Sequence, residues 1–476
     1  MKLIHKLKNP IFKIISNTAE KLNMEVYVVG GYVRDVLLNR KNKKNDIDFV
    51  CVGSGISLAK EVSQELKGDV NFNYFKNFGT AMIKNDNHYY EFIGARKESY
   101  RKNSRKPIIE DGNLYDDQKR RDFNINAMYI SLNKNSYGEL IDPFNGMSDL
   151  KNKIIRTPVD PKKTFSDDPL RMMRAIRFSS ELSFSIEKES LNSIIENRHR
   201  IEIISKERII EEFNKILLSN KPSVGLKLLF ETKLLEIIFK ELSDLQGVEN
   251  IENFSHKDNF FHTLEVVDNI RKNTDNLWLI WAALLHDIAK PQTKKFEKGK
   301  GWTFHGHEFL GGKMTARIFK KLKLPLNEKM KYVQKLVRLH LRPIVLAQDI
   351  VTDSAIRRLL FDAGEHIDDL MILCEADITS KNLLKVSKYL NNFKLVRKKL
   401  REVEKKDNIR NWKPPINGTE IMKMFNLNEG KDIGVLKKYL KDAILDGLIK
   451  NDKKESIEYL NKKFRLLNKN NINLKK

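Results

Sequence analysis

The chain has 476 residues, which predicts several domains, and its 88 Lys and Arg against 63 Asp and Glu give a formal net charge of +25. This charge favours a polyanionic partner such as nucleic acid, although runs such as KNKKN also fit a chain from an AT-rich genome. Its two cysteines, Cys51 and Cys374, exclude a disulfide framework and a thiolate zinc site and fit a reducing cytosol.

Two segments were natural candidates for a signal or a membrane span. Residues 1–16 are amphipathic and basic, but they lack the continuous apolar core and the small-residue cleavage site of a secretory signal. The longest strongly apolar run, residues 277–285, is far shorter than the roughly 20 residues that span a bilayer. We therefore expect a cytoplasmic protein without a membrane partner, and we interpret the apolar run as a buried helix.

Periodicity along the chain predicts an α+β protein. Residues 1–24 indicate an opening helix, and short β-rich runs separated by turns and helical stretches continue to about residue 150. From there apolar residues recur at helical spacing to the end, which predicts a head with a mixed sheet followed by a long all-α body. Residues 396–406 are typical of an exposed basic helix, and residues 411–420 predict a break before the last helical segment. The β-rich runs are VYVVGG, DIDFVCVG, TAMI, YYEFIGA and AMYISL.

A Gly-Gly pair, Gly30 and Gly31, follows the first predicted strand and precedes a predicted helix that carries Arg34. Glycine lets backbone N–H groups and a helix N-terminus approach phosphate, and a guanidinium adds a fixed cation nearby. A Gly-Gly pair alone is equally typical of an ordinary turn. The combination with the carboxylates that follow is more informative.

Asp46 and Asp48 are two residues apart in the next predicted strand. Because residues i and i+2 of a strand point to one side, both carboxylates can hold the same pair of divalent cations. Two such cations activate an attacking hydroxyl and neutralise a departing phosphate. The segment therefore predicts a nucleoside triphosphate site.

A third carboxylate, Glu91, lies on a predicted strand that can pair beside the strand of the two aspartates. There it would complete metal coordination or accept the proton of an attacking hydroxyl, and the alternative is a solvated strand residue. Residues 94–118 follow, and they are polar and basic with little apolar periodicity. Such a segment predicts a mobile, functional loop.

Charged and amide side chains crowd into RRDFNINAM at residues 120–128, where Arg121, Asp122 and Asn126 are the candidates for nucleotide binding. Arginine can bind phosphate, while Asp and Asn can hydrogen-bond ribose hydroxyls. Further along, SDDPLRMMRAIRF places charged residues three apart on a predicted helix, where Asp and Arg offer acceptor and donors to a base edge. Taken alone, that second segment favours a salt-bridged helix. Its charged residues are Asp168, Arg171, Arg174 and Arg177.

Five motifs resemble, in order and spacing, those of the bacterial class II tRNA nucleotidyltransferase and poly(A) polymerase family across roughly residues 25–250. They are VVGGYVRD, the DID pair, RRDFNINAM, DDPLRMMRAIRF and SKERIIEEFNKIL. The resemblance implies that Gly30, Gly31 and Arg34 hold the triphosphate. It implies further that Asp46 and Asp48 bind catalytic magnesium ions, and that the Arg and Asp of the third motif contact the nucleotide and distinguish ribose from deoxyribose.

The family's Glu-Asp-x-x-Arg element, which selects CTP and ATP by pairing with the base edge, matches Asp167, Asp168 and Arg171, with Arg174 as a further nucleotide contact. Asp167 stands where the family has Glu. This difference leaves Asp168 and Arg171, which pair with the base, unchanged, and it puts in doubt only a contact that supports them without touching the base. The segment before RRDFNINAM resembles the loop that the family needs for the final adenine. Its presence argues against an enzyme that adds only the two cytosines.

The resemblance implies template-free addition of C, C and A to the 3′ end of tRNA from CTP and ATP. The basic body would bind tRNA by shape, because an RNA duplex hides its major groove, and salt should weaken that binding steeply. The alternatives within the family are a poly(A) polymerase and an enzyme that adds only the terminal A. Two rivals of other classes are a phosphohydrolase with an RNA-binding head and a non-enzymatic RNA-binding scaffold.

A second constellation consists of His262, the adjacent pair His286 and Asp287, and Asp377. Imidazole and carboxylate together suit a hard or borderline divalent ion, although spacings this irregular are also typical of core and surface histidines. The four positions resemble the metal site of HD-type metal-dependent phosphohydrolases. The resemblance implies a divalent transition metal or Mg²⁺ and activity on phosphate esters or cyclic phosphates at RNA ends.

Two further histidines, His307 and His340, fall between the pair and the last aspartate and are candidate ligands of a second ion. His256 and His305 are interpreted as polar neighbours. The predicted domains are a nucleotidyltransferase head at 1–150, a helical neck that binds the base and RNA at 151–250, an HD domain at 251–390 and an RNA-binding tail at 391–476.

Overall fold

The computed structural model groups the backbone into two compact units, Met1–Ser243 and Asp244–Lys476. Among the described helices, none combines the length and the apolar character needed to cross a bilayer. The finer division into four domains stays a prediction. The described residues are 1–40, 46–76, 79–100, 107–251, 254–347, 352–380, 382–407, 410 and 412–469.

The first unit is built on a seven-stranded mixed sheet. The strands of this unit are β1 (Glu25–Val29), β2 (Asp46–Val52), β3 (Val70–Phe75), β4 (Thr80–Asn85), β5 (His88–Gly94), β6 (Arg96–Ser99), β7 (Ile108–Asp111), β8 (Tyr129–Ser131), β9 (Leu140–Ile141), β10 (Ile154–Ile155) and β11 (Ser185–Ile186). Strands β6 and β7, and β10 and β11, form two short pairs outside the sheet. The order in the sheet is β3-β4-β5-β2-β1-β8-β9, so that β1 lies between β2 and β8. Strands β2 and β5 are parallel, whereas the other neighbours in the sheet are antiparallel.

Helices α1 and α3 pack against each other at the sheet, and α7 packs against α9 and α10 in the helical part of this unit. Met172, Met173 and Ile176 of α7 are buried at the spacing of one helix face. The helices of the first unit are α1 (Ile11–Lys21), α2 (Gly31–Leu37), α3 (Gly55–Glu65), α4 (Leu114–Lys119), α5 (Gly146–Asn152), α6 (Pro161–Asp167), α7 (Leu170–Leu182), α8 (Lys188–Asn197), α9 (Lys206–Leu217), α10 (Pro222–Glu231), α11 (Leu234–Ile238) and α12 (Lys240–Ser243).

Alternation along β2 decides which face of the sheet is core and which carries charge. Phe49 is buried and stacks on Phe92 of β5, with ring centroids 5.1 Å apart. Phe12 of α1 meets Phe49 edge-on in the same core. Because side chains alternate along a strand, Asp46 and Asp48 point to the opposite face.

The second unit is helical, with two small hairpins. Helix α14 lies at its centre, with Trp281 fully buried, and packs against α13, α17 and α20. Its strands are β12 (Asn250–Ile251), β13 (Phe254–Ser255), β14 (Lys295–Glu297) and β15 (Gly301–Thr303). Its helices are α13 (Asn259–Arg271), α14 (Leu277–Leu285), α15 (Lys290–Thr293), α16 (His307–Lys321), α17 (Glu328–Leu339), α18 (Leu341–Leu346), α19 (Asp353–Ala363), α20 (Ile367–Ala376), α21 (Leu383–Asp407), α22 (Gly418–Phe425), α23 (Lys431–Leu445) and α24 (Lys453–Lys469).

Side-chain caps fix where the central helices of the second unit begin. Asp258 accepts hydrogen bonds from the backbone N–H groups of Phe260 and Phe261, and Asn276 accepts one from Trp278. Each cap satisfies a backbone donor that the first helical turn leaves unpaired. All four tryptophans of the chain lie in this unit, at positions 278, 281, 302 and 412.

The α+β head and helical body predicted from the sequence are confirmed. The opening helix α1 is shorter than the predicted 1–24 and covers Ile11–Lys21, the five β-rich runs are β1, β2, β4, β5 and β8, and the apolar run is the buried helix α14. The break at 411–420 is also confirmed, since α22 begins at Gly418. Sequence reasoning missed the edge strand β3, whose side chains are mostly exposed and therefore give no apolar alternation.

Two expectations need correction. The polar segment 94–118 contains β6, β7 and α4 in its described part, while residues 101–106 lie outside the described residues. Backbone pairing joins β6 to β7, and Glu98 of β6 forms ion pairs with Arg96 of the same strand and with Arg120 after α4, so apolar periodicity could not reveal the hairpin. The helix at 396–406 is part of α21, but it is not exposed all round, because Val396, Leu400 and Val403 are buried.

Candidate functional site

Three carboxylates lie on one face of the sheet in the first unit. In the parallel pairing of β2 with β5, Asp48 lies beside Glu91 and Asp46 lies one row away. Burial raises the pKa of Asp48, and Asp46 adds to the rise while Arg121 opposes it. Desolvation and the Asp48 carboxylate raise the pKa of Glu91. A set of carboxylates that disfavour one another's charge is a fitting site for Mg²⁺, which would relieve the repulsion.

Gly30 closes this site from the end of β1. Its φ of +72° is in the left-handed region, and a Cβ there would lie 3.1 Å from Asp48 Oδ2. Glycine is therefore required both by the backbone conformation and by the close approach of the carboxylate. The sequence prediction that Gly30 permits a close approach is consistent with this geometry.

A cavity of about 300 Å³ opens beside Asp48. Five cationic side chains and two carboxylates contribute to its walls, so the cavity favours an anion. It is lined by Gly30, Gly31, Arg34, Asp48, Arg121, Asp122, Asn126, Arg174, Arg177, Phe178 and Lys215. The structure thus brings together seven of the predicted nucleotide-binding residues and one of the predicted metal ligands.

Arg121 is held in place by a buried carboxylate that sequence reasoning did not single out. Asp117 Oδ2 accepts from Arg121 Nε and Nη2 at 3.2 and 3.0 Å, and it also accepts from the Tyr129 hydroxyl. Asp117 pairs with Arg120 as well. Although burial opposes its charge, Tyr129, Asp117 and Asp48 raise the pKa of Arg121. Arg121 is therefore a permanently charged group of fixed orientation beside Asp48.

A second network joins Asp122 to the helix α7. Asp122 Oδ2 accepts from Arg174 Nε at 2.7 Å, and its Oδ1 accepts from Asn126 Nδ2 at 3.0 Å. The Asn126 amide oxygen accepts in turn from Arg34 Nη1 at 2.9 Å. Burial would raise the pKa of Asp122, but Arg174 and Asn126 outweigh it and lower that pKa to about 2. The network fixes two arginines of the cavity through one ionised aspartate.

The ring of Phe178, which also lines the cavity, packs against three of its arginines. The guanidinium carbons of Arg34, Arg174 and Arg177 lie 5.0, 5.4 and 4.0 Å from the centroid of its ring. Arg177 donates from Nε to Glu212 at 2.5 Å, and Lys215 of α9 donates to the same carboxylate at 2.8 Å. Arg177 thus lines the cavity as an ion-paired residue, as the salt-bridged interpretation of this helix expected.

Asp168 and Arg171 do not line this cavity, but they lie within electrostatic range of Arg174 and Asp122, which do. Arg171 Nη2 donates to the backbone oxygen of Arg120 at 2.7 Å, and Asp168 Oδ1 accepts from the N–H of Leu170 at 3.3 Å. Both side chains are half-buried. Burial raises the pKa of Tyr100, which lies within the electrostatic influence of both residues and comes from the segment predicted as a loop.

The second unit contains two groups of side chains whose ligand atoms lie within 4.8 Å of one another. One is His262, His286 and Asp287, and the other is Asp287, His307 and His340. Asp287 belongs to both groups. The fourth predicted ligand, Asp377, joins the first group, with its Oδ1 2.9 Å from His262 Nε2 and 3.5 Å from His286 Nε2. The structure therefore brings together all six of the predicted residues.

Backbone oxygens orient the buried imidazoles. The Nδ1 atoms of His286, His307 and His340 each lie 2.7 Å from the carbonyl oxygen three residues earlier in the chain. A donated Nδ1–H leaves Nε2 with its lone pair free to bind a metal. His262 instead has its Nδ1 2.7 Å from the Thr379 hydroxyl, a partner that sequence reasoning missed.

The charge balance of this cluster fits a cation. Burial disfavours a charged His286, but Asp287 and Asp377 outweigh it and raise its pKa to about 10. Burial also lowers the pKa of His340 to about 4. The buried Nε2 of His286 makes no well-aligned hydrogen bond within the described residues and lies 3.2 Å from Asp287 Oδ2 and 3.5 Å from Asp377 Oδ1. A donor set of imidazole nitrogens and carboxylate oxygens with such an atom at its centre fits a divalent ion.

His256 and His305, which the sequence analysis interprets as polar neighbours, belong to neither group of ligand atoms. His256 has its Nδ1 2.8 Å from the backbone oxygen of Lys257 and packs against Trp302. His305 is 84% exposed at its side chain and lies 3.8 Å from Glu297. Of the missed residues, Asp117 had a visible signal, since it precedes two arginines by three and four positions, which is the spacing of ion pairs on a helix.

The comparisons with known proteins agree with this arrangement of two sites. Residues 26–156 match the Poly A polymerase head domain, residues 183–245 match the probable RNA and SrmB-binding site of polymerase A, and residues 259–382 match the HD domain. The fold and the carboxylate site thus define a nucleotidyltransferase head, which is joined in one chain to an HD metal-binding domain.

Among relatives, the Multifunctional CCA protein of Shewanella frigidimarina (strain NCIMB 400) is 30% identical over 383 residues, covering 77% of this chain and 86% of the relative. The A-adding tRNA nucleotidyltransferase of Deinococcus radiodurans is 30% identical over 340 residues, covering 70% and 75%. The chain belongs to the bacterial tRNA nucleotidyltransferase family. The match spans only 44% to 64% of the length of several other relatives, which are named CCA-adding or A-adding.

The fold is also that of a solved structure of the Bacillus stearothermophilus CCA-adding enzyme in complex with CTP. That structure has a TM-score of 0.67 and 22% identity, and the likeness covers 97% of this chain and all of that chain. At this identity the likeness concerns the fold. It confirms the predicted α+β architecture with a helical body.

Proposed function

We propose that the protein adds C, C and A to the 3′ end of tRNA, without a template, from CTP and ATP. One observation carries this proposal: the carboxylates Asp46, Asp48 and Glu91 share a sheet face, and Asp48 also lines a cationic cavity of about 300 Å³. Metal-binding carboxylates next to fixed cations are what phosphoryl transfer requires. The 30% identity to relatives named for this chemistry supports the same assignment.

In the proposed reaction, the terminal 3′ hydroxyl of the RNA attacks the α-phosphorus of the nucleotide and pyrophosphate leaves. Magnesium held by Asp46 and Asp48 would supply activation of the hydroxyl and stabilisation of the leaving group. Glu91 lies where it can complete that coordination or accept the hydroxyl proton. Arg121 and Arg174 would neutralise the triphosphate, because both are fixed in orientation by buried carboxylates.

Different residues would bind the ribose and the base of the nucleotide. Asp122 and Asn126 offer an acceptor and an amide at the cavity wall, which suits ribose hydroxyls. Asp168 and Arg171 are half-buried and outside the cavity lining, which leaves their polar edges available to a base that projects from it. An Asp and Arg together can pair with the edge of either cytosine or adenine.

The partner in this proposal is tRNA, and the net charge of +25 supports a polyanion. Strong salt dependence of binding follows from the release of counterions. We place the reaction in the cytoplasm, in keeping with two buried cysteines that are free thiols.

The test uses purified protein and tRNA transcripts that end before the CCA sequence. With CTP alone we expect two cytosines to be added, and with CTP and ATP together a complete CCA end. Incorporation of A alone on a transcript that already ends in CC would favour the A-adding alternative, which some relatives bear in name. A long A tail would favour a poly(A) polymerase. Asp48→Asn is the control and should abolish every addition.

A second candidate function is hydrolysis of phosphate esters at RNA ends by the HD domain. It is favoured by the donor set of His262, His286, Asp287 and Asp377, which fits a divalent ion. An RNA that ends in a 2′,3′-cyclic phosphate is the substrate to try, with Mg²⁺, Mn²⁺, Co²⁺ and Ni²⁺ supplied separately. Asp287→Ala should abolish hydrolysis and leave nucleotide addition intact. Hydrolysis that survives this substitution would contradict the assignment.

A further inference from the structure

The sheet face that carries the carboxylates continues past Glu91 onto two more strands. In the antiparallel ladders, Glu91 lies beside Met82 of β4, and Met82 lies beside Asn73 of β3. The next row begins at Asp46 and runs through Tyr89, Lys84 and Asn71. Side chains opposite one another in a ladder point to the same face. The row that contains Asp48 and Glu91 thus continues into a wider surface formed by β5, β4 and β3.

This surface is accessible in the described part of the first unit. Tyr89 is 40% exposed and Phe75, which follows Asn73 on the same face of β3, is 51% exposed. Lys84, Asn71 and Asn73 are exposed as well. Asn73 donates to Asn71 at 2.8 Å, so the two amides form a polar row at the sheet edge.

The other face of β4 and β5 is core. Ala81, Ile83 and Phe92 have no exposed area, and Tyr90 is 3% exposed. The core face fixes β4 and β5, and on the carboxylate face Ile93 at the far end of β5 packs against a second buried cluster, so Tyr89 is exposed on a well-packed strand. Two large aromatic rings on a polar face, next to a lysine, are a combination that solvent contact alone does not favour.

The two sides of the carboxylates are not equivalent. The cationic cavity lies toward β1, since Gly30 follows β1 and Arg121 precedes β8. Glu91 lies on β5, on the other side of Asp48. In phosphoryl transfer the attacking and leaving oxygens lie roughly in line, on opposite sides of the phosphorus. If the triphosphate occupies the cavity, the attacking hydroxyl must come from the side of β5.

We propose that the open face of β5, β4 and β3 binds the single-stranded 3′ end of the acceptor RNA, with bases stacked on Tyr89 and Phe75 and a phosphate near Lys84. This inference rests on the proposed function. Strand β3 lies about 10 Å from β5, which is room for a short run of nucleotides.

The chemistry of the surface suits an end that changes with each addition. Every base has a flat face, so stacking on an aromatic ring tolerates any base, whereas hydrogen bonds to base edges do not. The two asparagines can serve ribose and phosphate groups, which are the same in every nucleotide. A stacking surface can therefore hold the RNA end before the first cytosine, after it and after the second.

The test compares Tyr89→Ala and Phe75→Ala with Tyr74→Ala. Tyr74 is 58% exposed and adjacent to Phe75, but it points to the opposite face, where it stacks with Phe72. We expect the KM for a tRNA transcript lacking CCA to rise about 5- to 100-fold in the first two variants. The KM for CTP and ATP should stay within twofold, and Tyr74→Ala should match the wild type. Tyr89→Phe keeps the ring and should restore the KM.

Two measurements separate this inference from the proposed function. If the wild type adds no nucleotide to any transcript, the proposed function fails. If the wild type is active but Tyr89→Ala and Phe75→Ala leave the KM for tRNA within twofold of Tyr74→Ala, the inference is overturned. An equal rise of the KM for CTP would also overturn it, because the effect would then not belong to the RNA side. Thermal midpoints of the four variants equal to that of the wild type show that each variant is folded.

Discussion

Asp117 accepts two hydrogen bonds from Arg121 on a single carboxylate oxygen, 3.2 Å from Nε and 3.0 Å from Nη2. Asp117 is fully buried, and its other oxygen pairs with Arg120. The arginine that faces Asp48 therefore owes its orientation to a residue that does not line the cavity itself. Asp117 is a positioning residue for the cationic wall.

Replacement of Asp117 by Asn removes the charge that holds Arg121 but keeps the size of the side chain. We expect kcat/KM for both CTP and ATP to fall about 100-fold, because displacement of a positioning group by about 1 Å has effects of that size. Tyr129→Phe is the matched control, since it removes one hydroxyl and leaves the ion pair, and it should reduce kcat/KM by less than 10-fold. Steady-state kinetics at one RNA concentration measure both. Equal values for Asp117→Asn and the wild type would contradict the positioning role.

Gly30→Ala should damage the metal site directly. Its φ of +72° disfavours a Cβ, and that Cβ would lie 3.1 Å from Asp48 Oδ2. Gly299 has a φ of +80° with nothing within 4 Å of its Cβ position, so Gly299→Ala carries only the backbone strain, about 1 kcal/mol. We expect nucleotide addition to fall at least 10-fold in Gly30→Ala and to be unchanged in Gly299→Ala. Equal activity of the two variants would show that the approach to Asp48 is unimportant.

Removal of divalent ions should destabilise the second unit. All four tryptophans lie there, so their fluorescence follows the unfolding of this unit alone. A ligand at 100 times its Kd stabilises by about 2.7 kcal/mol, and a chelator should lower the thermal midpoint accordingly. Asp287→Ala should show a midpoint that does not respond to chelator. A wild type that is equally indifferent to chelator would argue against a bound ion.

Replacement of Thr379 changes the same metal site without removing a ligand. It lies 2.7 Å from His262 Nδ1 and can fix the ring without contacting the ion. Loss of such a partner commonly weakens metal affinity 10- to 100-fold, which is the effect expected for Thr379→Val. Titration of the metal-free protein with Mn²⁺ or Zn²⁺ gives the affinity. Thr379→Ser keeps the hydroxyl and should bind the ion as the wild type does.

Lys215 and Arg171 should affect nucleotide binding in different ways. Lys215 lines the cavity, where a cation meets the phosphates of either nucleotide, so Lys215→Gln should raise the KM for CTP and ATP alike by about 10-fold. Arg171 lies outside that lining, and Arg171→Ala should instead change which base is accepted. Competition between CTP and ATP on one transcript measures the ratio. A changed ratio in Lys215→Gln would mean that the two roles are not separate.

The spacing of Asp46 and Asp48 predicted their shared face, because alternation along a strand is a local property. The position of Glu91 was predictable only as far as its strand. Its register beside Asp48 depends on a parallel pairing between strands about 40 residues apart, and no short-range pattern encodes that pairing. The same holds for Asp287, which joins two groups of ligands from distant helices.

The residues that orient the sites were hardest to predict. Asp117 and Thr379 are common polar residues whose importance comes from what they touch, and Tyr129 lies in an ordinary strand. The hairpin within 94–118 could not be predicted because neither of its strands, RKES and IIED, shows apolar alternation. Sequence periodicity reports burial, and these features are built from polar contacts.

Strand β1 lies between the two halves of the site, and its position determines how the head unfolds. It is hydrogen-bonded to the strand of Asp46 and Asp48 on one side and, on the other, to β8, which follows the segment of Arg121 and Asp122. Neither half of the site can separate from the sheet without breaking bonds to β1. In hydrogen-exchange experiments the amides of β1 should open only with global unfolding of the head. A nucleotide that protects the β8 side should protect β2 to the same extent, so that the site opens as one cooperative unit.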